Sequence, residues 1–101
     1  MIEIKNLRFS KPEKEYDIRV DRASIVGNPY FMKDESMRDE VCDKYERYFM
    51  HNVVNNKDFR EFILNLVSIY EKYGKLNLYC WCAPKRCHAE TIKNYIERLV
   101  G

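Results

Sequence analysis

No apolar run in this chain approaches the roughly 18 residues that a membrane-spanning helix requires. Glycine and proline are scarce, with three of each in 101 residues, which argues against a linker or a low-complexity, disordered chain. A long basic run is also missing. The formal net charge is +2 and both signs are interspersed, so bulk charge gives no support to nonspecific DNA or RNA binding. The segment Met1 to Lys5 lacks the organisation of a secretory signal. These absences together lead to the expectation of a soluble, cytoplasmic protein without membrane or nucleic-acid partners; a homo-oligomer is left open. Thiols stay reduced in that compartment, so the four cysteines are expected as ligands, nucleophiles or core residues rather than disulfides.

What is present suits a small folded domain. Apolar residues make up 46% of the chain, with eight Tyr and five Phe. Large rings bury much area per residue, which helps a domain of this size close a core. One domain over residues 1–101 is expected.

The hydropathy pattern gives the order β-β-α-α-β-α. Ile2 and Ile4 alternate with Glu3 and Lys5 as a strand, which Leu7 and Phe9 continue out of phase after a bulge or break near Asn6. Tyr16, Ile18 and Val20 alternate with Asp17, Arg19 and Asp21, and this second strand is expected to form an N-terminal hairpin with the first. Gly27-Asn28-Pro29 ends it. Asp34 or Ser36 can cap a helix running to about Met50, and Asn55 or Asn56 a second helix that stops at Gly74. Leu76 to Cys82 reads as a central, aromatic-rich strand. A last helix, starting near Arg86 or Cys87, turns Ile92, Tyr95, Ile96 and Leu99 inward. A crossover through two helices can set the last strand parallel to the second. The expected fold is therefore α/β, a small Rossmann-like domain with an N-terminal hairpin.

The segment Cys80-Trp81-Cys82-Ala83-Pro84-Lys85-Arg86-Cys87-His88 concentrates the reactive capacity of the chain. Ligands of α/β proteins gather at the carboxyl ends of strands. The Gly27-Asn28-Pro29 loop and the cysteine loop would rim one pocket if their strands are parallel neighbours. Three chemistries compete there. A loop entering a helix N-terminus receives phosphate, and Lys85 and Arg86 add charge. Cys80, Cys82, Cys87 and His88 form a zinc-compatible set, though their closeness in sequence is unlike common zinc folds; no cofactor is the first expectation, zinc the alternative. Cys87, at a helix start beside basic residues, is a candidate thiolate nucleophile. Against all three stands plain packing, since Cys is commonly buried and His88 shares a helix face with Ile92.

Gly27-Asn28-Pro29-Tyr30, then Ser36-x-Arg38-x-Glu40 and Tyr45, then Cys80-Trp81-Cys82-x-Pro84-x-x-Cys87-His88-Ala89 resemble the domain-of-unknown-function family numbered 4326, found in bacteria and phages. The resemblance spans about Asp21 to Val100. It implies a small α/β fold and a shared site of Arg22, Asn28, Arg38, Cys82, Cys87 and His88, with no established reaction. Those types suit a phosphorylated ligand: Asn28 offers donors and an acceptor to a base or sugar, and Arg22 and Arg38 can fork onto phosphate. The function expected is binding of a phosphorylated, nucleotide-derived small molecule. A phage protein of this kind would sequester a host signalling nucleotide. The alternatives are a zinc-fastened interaction module and a cysteine-dependent enzyme acting on a nucleotide or nucleoside.

Overall fold

The computed structural model describes residues 1–83 and 85–101; Pro84 of the cysteine segment lies outside them. Strands β1 (Ile2–Asn6) and β2 (Asp17–Arg19) precede a 3-10 turn at Glu35–Met37. Helices α1 (Arg38–Asn55) and α2 (Lys57–Tyr73), strand β3 (Leu76–Cys80) and helix α3 (His88–Val100) follow. The fold is thus a mixed α/β domain with three strands and three helices in the order read from the pattern. Among the described residues no helix is long and apolar enough to cross a membrane.

The local signals act through identifiable caps. Asp34 accepts from the Ser36 amide at the start of the 3-10 turn, and Asn56 accepts from the Phe59 amide at 3.1 Å to open α2. Gly74 closes α2 at φ 67°, a backbone state that costs little only for glycine. Helix α1 runs past Met50 to Asn55, because Val53 still reaches the core.

The N-terminal hairpin does not form. The sheet order is β1-β3-β2, and β3 pairs in parallel with both neighbours. Ile2 and Ile4 lie opposite Leu76 and Leu78, and Ile18 lies opposite Leu78 from the other side. Alternation identifies a strand but not its partner. All five residues of β3 are buried, so β3 is the apolar centre and the two half-polar strands flank it. The out-of-phase extension of β1 is a turn instead, with Phe9 76% exposed. The second strand ends at Arg19, though the Val20 amide still donates to the Tyr79 carbonyl at 2.9 Å.

Leu76, Leu78 and Cys80 share one face of β3. They join one apolar cluster with Tyr45, Phe49 and Val53 of α1, Phe59, Ile63 and Leu66 of α2, and Ala89, Ile92 and Ile96 of α3. The opposite face carries Asn77 and Tyr79. Asn77 donates to Asp17 at 2.7 Å across the β2–β3 pair; burial opposes ionising Asp17, but the Glu13 and Lys14 amides, and then Asn77, hold its carboxyl below the usual range.

Candidate functional site

Because β2 and β3 are parallel neighbours, the segments that follow them emerge at the same end of the sheet. The segment after β2 is tied down by buried polar bonds. Tyr45, fully buried in α1, donates its hydroxyl to the Val26 carbonyl at 2.6 Å. His88, the first residue of α3, donates Nε2–H to the Val20 carbonyl. A carbonyl can only accept, so the imidazole is the Nε2–H tautomer, and burial holds its pKa below the usual histidine value. The His88 and Tyr45 rings meet edge to face at 5.1 Å. Gly27 is required by a close approach: a Cβ there would lie 2.5 Å from the Asp21 carbonyl oxygen and 2.6 Å from Arg22 Cα.

The segment after β3 is held differently. Asn6, at the end of β1, donates to the carbonyls of Trp81 and Ala83 at 3.2 and 2.8 Å. Arg38 donates to the Arg86 carbonyl at 2.8 Å. Arg86 reaches Asp39 and Asp43 of α1, each at 3.0 Å. Glu90 accepts from the Cys87 amide at 3.3 Å and so closes the start of α3. Asp21 joins the two segments: its carboxylate accepts from Arg19 and, at 2.8 Å, from the Trp81 indole. Burial works against ionising Asp21, but those donors hold its pKa below the ordinary value.

Between the segments opens a cleft of about 360 Å³. Arg22, Asn28, Arg38, Cys82, Cys87 and His88, the residues singled out from sequence, all line it. Asp21, Tyr30, Phe31, Met32, Cys42 and Trp81 complete much of the wall. Trp81 and Phe31 are 58% and 76% exposed at this cleft, an unusual state for large rings. The Arg22 guanidinium lies 4.1 Å from the centre of the Phe31 ring and donates to the Tyr30 carbonyl.

Three expected roles change in this setting. The fork of Arg38 is already engaged, since Nε and Nη2 donate to Glu35 at 2.8 and 2.9 Å. Hydrogen bonds from Arg38 and then Lys85 draw the Glu35 carboxyl down to about 2. Arg22, which makes no ion pair with a carboxylate among the described residues, is the more available cation. Asn28 spends part of its acceptor capacity on the Tyr30 amide, at 2.9 Å, leaving its NH₂ as the uncommitted group. Cys87 is not a lowered-pKa nucleophile. It is 4% exposed, and hydrogen bonding to Cys80 and Cys82, with burial, holds its proton firmly in place.

The thiol drawn down furthest is Cys82. Hydrogen bonding with Cys87 and then with Arg38 brings its pKa to about 6, against the opposing effect of burial. Cys80 also gains from Cys87, at an Sγ–Sγ distance of 3.2 Å. That contact draws the Cys80 pKa down to about 7, while burial and a charge on Cys82 oppose it. Among the described residues no group of three Cys, His, Asp or Glu side chains is placed to hold a metal ion.

The family model of a domain of unknown function, DUF4326, matches residues 5–98. This chain belongs to that family. The chain is also similar to an uncharacterized 12.4 kDa protein from the nrdA-td intergenic region of Enterobacteria phage T4. The two are 23% identical over 90 residues, which cover 89% of this chain and 76% of the phage protein. No solved structure matches.

The sequence missed Asp21 and Trp81 as lining residues of the cleft, and Asn6 as an anchor of the segment after β3. Asp21 had no signal, because it falls in the polar phase of the alternation with Asp17 and Arg19. Asn6 had none, because its contacts lie across the sheet. The engagement of Arg38 was visible in the spacing, since Glu35 precedes it by three residues at a helix start.

Proposed function

We propose that the cleft of this DUF4326 protein binds a phosphorylated, nucleotide-derived small molecule. The observation that carries the reading is the pairing, in one cleft, of two exposed rings, Trp81 and Phe31, with the cation Arg22 and the amide of Asn28. Exposed rings offer a stacking surface to a flat base. Arg22 supplies charge for phosphate, and the Asn28 NH₂ a donor for orientation. The start of α3 adds positive potential. The similarity to a phage protein fits a role in sequestering a host signalling nucleotide.

Calorimetric titration with nucleoside mono-, di- and triphosphates, and with inorganic phosphate as a control, tests this. Arg22→Ala is expected to weaken nucleotide binding by about 1.5–3 kcal/mol, as for other charged hydrogen bonds, while leaving the melting temperature close to wild type. Nucleotide affinity unchanged in the Arg22→Ala, Asn28→Ala double variant would remove the reading.

A second reading has its own support. Cys82, whose pKa is drawn down to about 6, borders the same cleft, which is what a cysteine-dependent enzyme acting on the bound nucleotide requires. Turnover of a bound nucleotide that disappears in Cys82→Ser separates this from sequestration.

A further inference from the structure

We propose that the ligand of the cleft is a nucleoside monophosphate, and that a longer phosphate chain gains nothing there because Glu35, Asp39, Asp43 and Glu46 have already taken the other cations. This rests on the nucleotide reading above and narrows it to one class of ligand.

Arg22, Arg38 and Arg86 all line the cleft. Arg86 gives Nη1 to Asp39 and Nη2 to Asp43, each at 3.0 Å, and Glu46 lies 3.6 Å from Nη2. Arg38 places its fork on Glu35 and its remaining nitrogen, Nη1, on the Arg86 carbonyl. Lys85, in the cysteine segment, also turns to Glu35, at 3.2 Å. Arg38, Lys85 and Arg86 are therefore outnumbered by the carboxylates they face, and no positive charge is left over for a ligand. The start of α3 is taken up in the same way. The Cys87 amide donates to Glu90 and the Glu90 amide turns back to Cys87. The helix keeps the potential of its dipole, but those two donors are spent, and Glu90 brings a negative charge of its own.

Arg22 differs. Its guanidinium lies over the Phe31 ring and gives one hydrogen bond, from Nη2 to the Tyr30 carbonyl at 2.9 Å. Its other N–H groups make no hydrogen bond among the described residues, so it retains the donors to grip one phosphate. A second phosphate would find no unpaired cation, in a partly enclosed cleft where like charges repel more strongly than in water. Size agrees. The volume of about 360 Å³ is near the lower end of the roughly 300–1,000 Å³ that small-molecule sites span, which suits a single nucleotide.

The test is calorimetric titration of the full chain, without divalent cations, with adenosine, guanosine, cytidine and uridine and with the 5′-mono-, di- and triphosphate of each. For the base that binds best, the monophosphate is expected to bind about tenfold tighter than the nucleoside, the gain of one charged hydrogen-bonded contact. The di- and triphosphate are expected to bind no tighter than the monophosphate. In Arg22→Gln, which keeps a donor for the Tyr30 carbonyl, the monophosphate should fall to the affinity of its nucleoside. Glu35→Ala, at an exposed carboxylate, frees the fork of Arg38, and the diphosphate should then overtake the monophosphate by about fivefold. Wild-type affinity that climbs about tenfold with each added phosphate overturns the proposal and leaves the nucleotide reading standing. So does a monophosphate advantage that survives in Arg22→Gln, or a diphosphate that gains nothing in Glu35→Ala. Failure of every nucleoside and nucleotide to bind overturns both.

Discussion

The two segments that flank the cleft leave parallel strands at the same end of one sheet, yet they are secured by different physics. The segment after β2 hangs from two buried carbonyls, each with a buried side-chain donor on a helix: Val20 with His88, and Val26 with Tyr45. The segment after β3 is gripped mainly by Asn6, Arg38 and the Arg86 ion pairs, which lie nearer solvent. Buried donors cannot be replaced by water, so the first anchorage is strong and insensitive to salt. Surface ion pairs are individually weak and screened. The cleft therefore has one stiff wall, carrying Arg22 and Asn28, and one more compliant wall, carrying Trp81 and Cys82.

Removing the His88 anchor should have the largest effect. His88→Ala leaves a buried carbonyl without its donor and a void beside Tyr45, and is expected to cost about 3 kcal/mol in denaturant unfolding. A loss below about 1 kcal/mol would mean that the first wall is not held as described. Gly27→Ala comes next, at about 2 kcal/mol, because backbone rather than a flexible side chain blocks the added Cβ. If Gly27→Ala melts like wild type, the close approach to Asp21 and Arg22 is wrong.

A pH series separates the walls. The folded pKa of His88 is depressed, so the unfolded chain binds the extra proton first, and stability falls as pH drops below about 6.5. The Cys82 pKa is depressed as well, from 9.0 to about 6. Its contribution is complete above the unfolded thiol value and is lost as pH falls through about 6. Cys82→Ser is therefore expected to flatten the slope of stability between neutral and alkaline pH, and the His88 variant the slope on the acid side. The same change of slope in both variants would erase the distinction. The smallest effect is expected from Arg86→Ala, below about 1 kcal/mol and absent at molar salt. A salt-independent loss there would show that the second wall is as buried in its energetics as the first.

Much of this arrangement was legible in the chain. Asn56 and Gly74 announce the ends of α2 because capping is a local event, written within a few residues. The alternation of Tyr16, Ile18 and Val20 marks a strand for the same reason. Pairing is not local: nothing between Ile2 and Val20 records that both strands wait for Leu76–Cys80, and the short separation favoured a hairpin that the apolar β3 displaces. Six of the residues that line the cleft were named from motifs, but their partners set their chemistry. Cys87 had the sequence context of a reactive thiol, yet its sulfur neighbours and burial push it up, while Cys82, read as a strand residue, is the thiol drawn down furthest. That inversion depends on which sulfur is buried and which lies beside Arg38, and spacing alone does not encode it.

The central position of β3 also governs how the chain can be made. Among the described residues, β1 and β2 hydrogen-bond to no strand except β3. A ribosome releases the chain from its N-terminus at about 5–20 residues per second, so both strands emerge and wait, unpaired, for several seconds. During that interval the helical pair α1–α2 can assemble, but no sheet exists for it to cover. Folding is then gated by a single late event, the arrival of Leu76–Cys80, which completes the sheet and brings Trp81 and Cys82 to the cleft. A chain broken before that strand would hold two open edges and no core, a species fit for degradation or aggregation rather than for partial function.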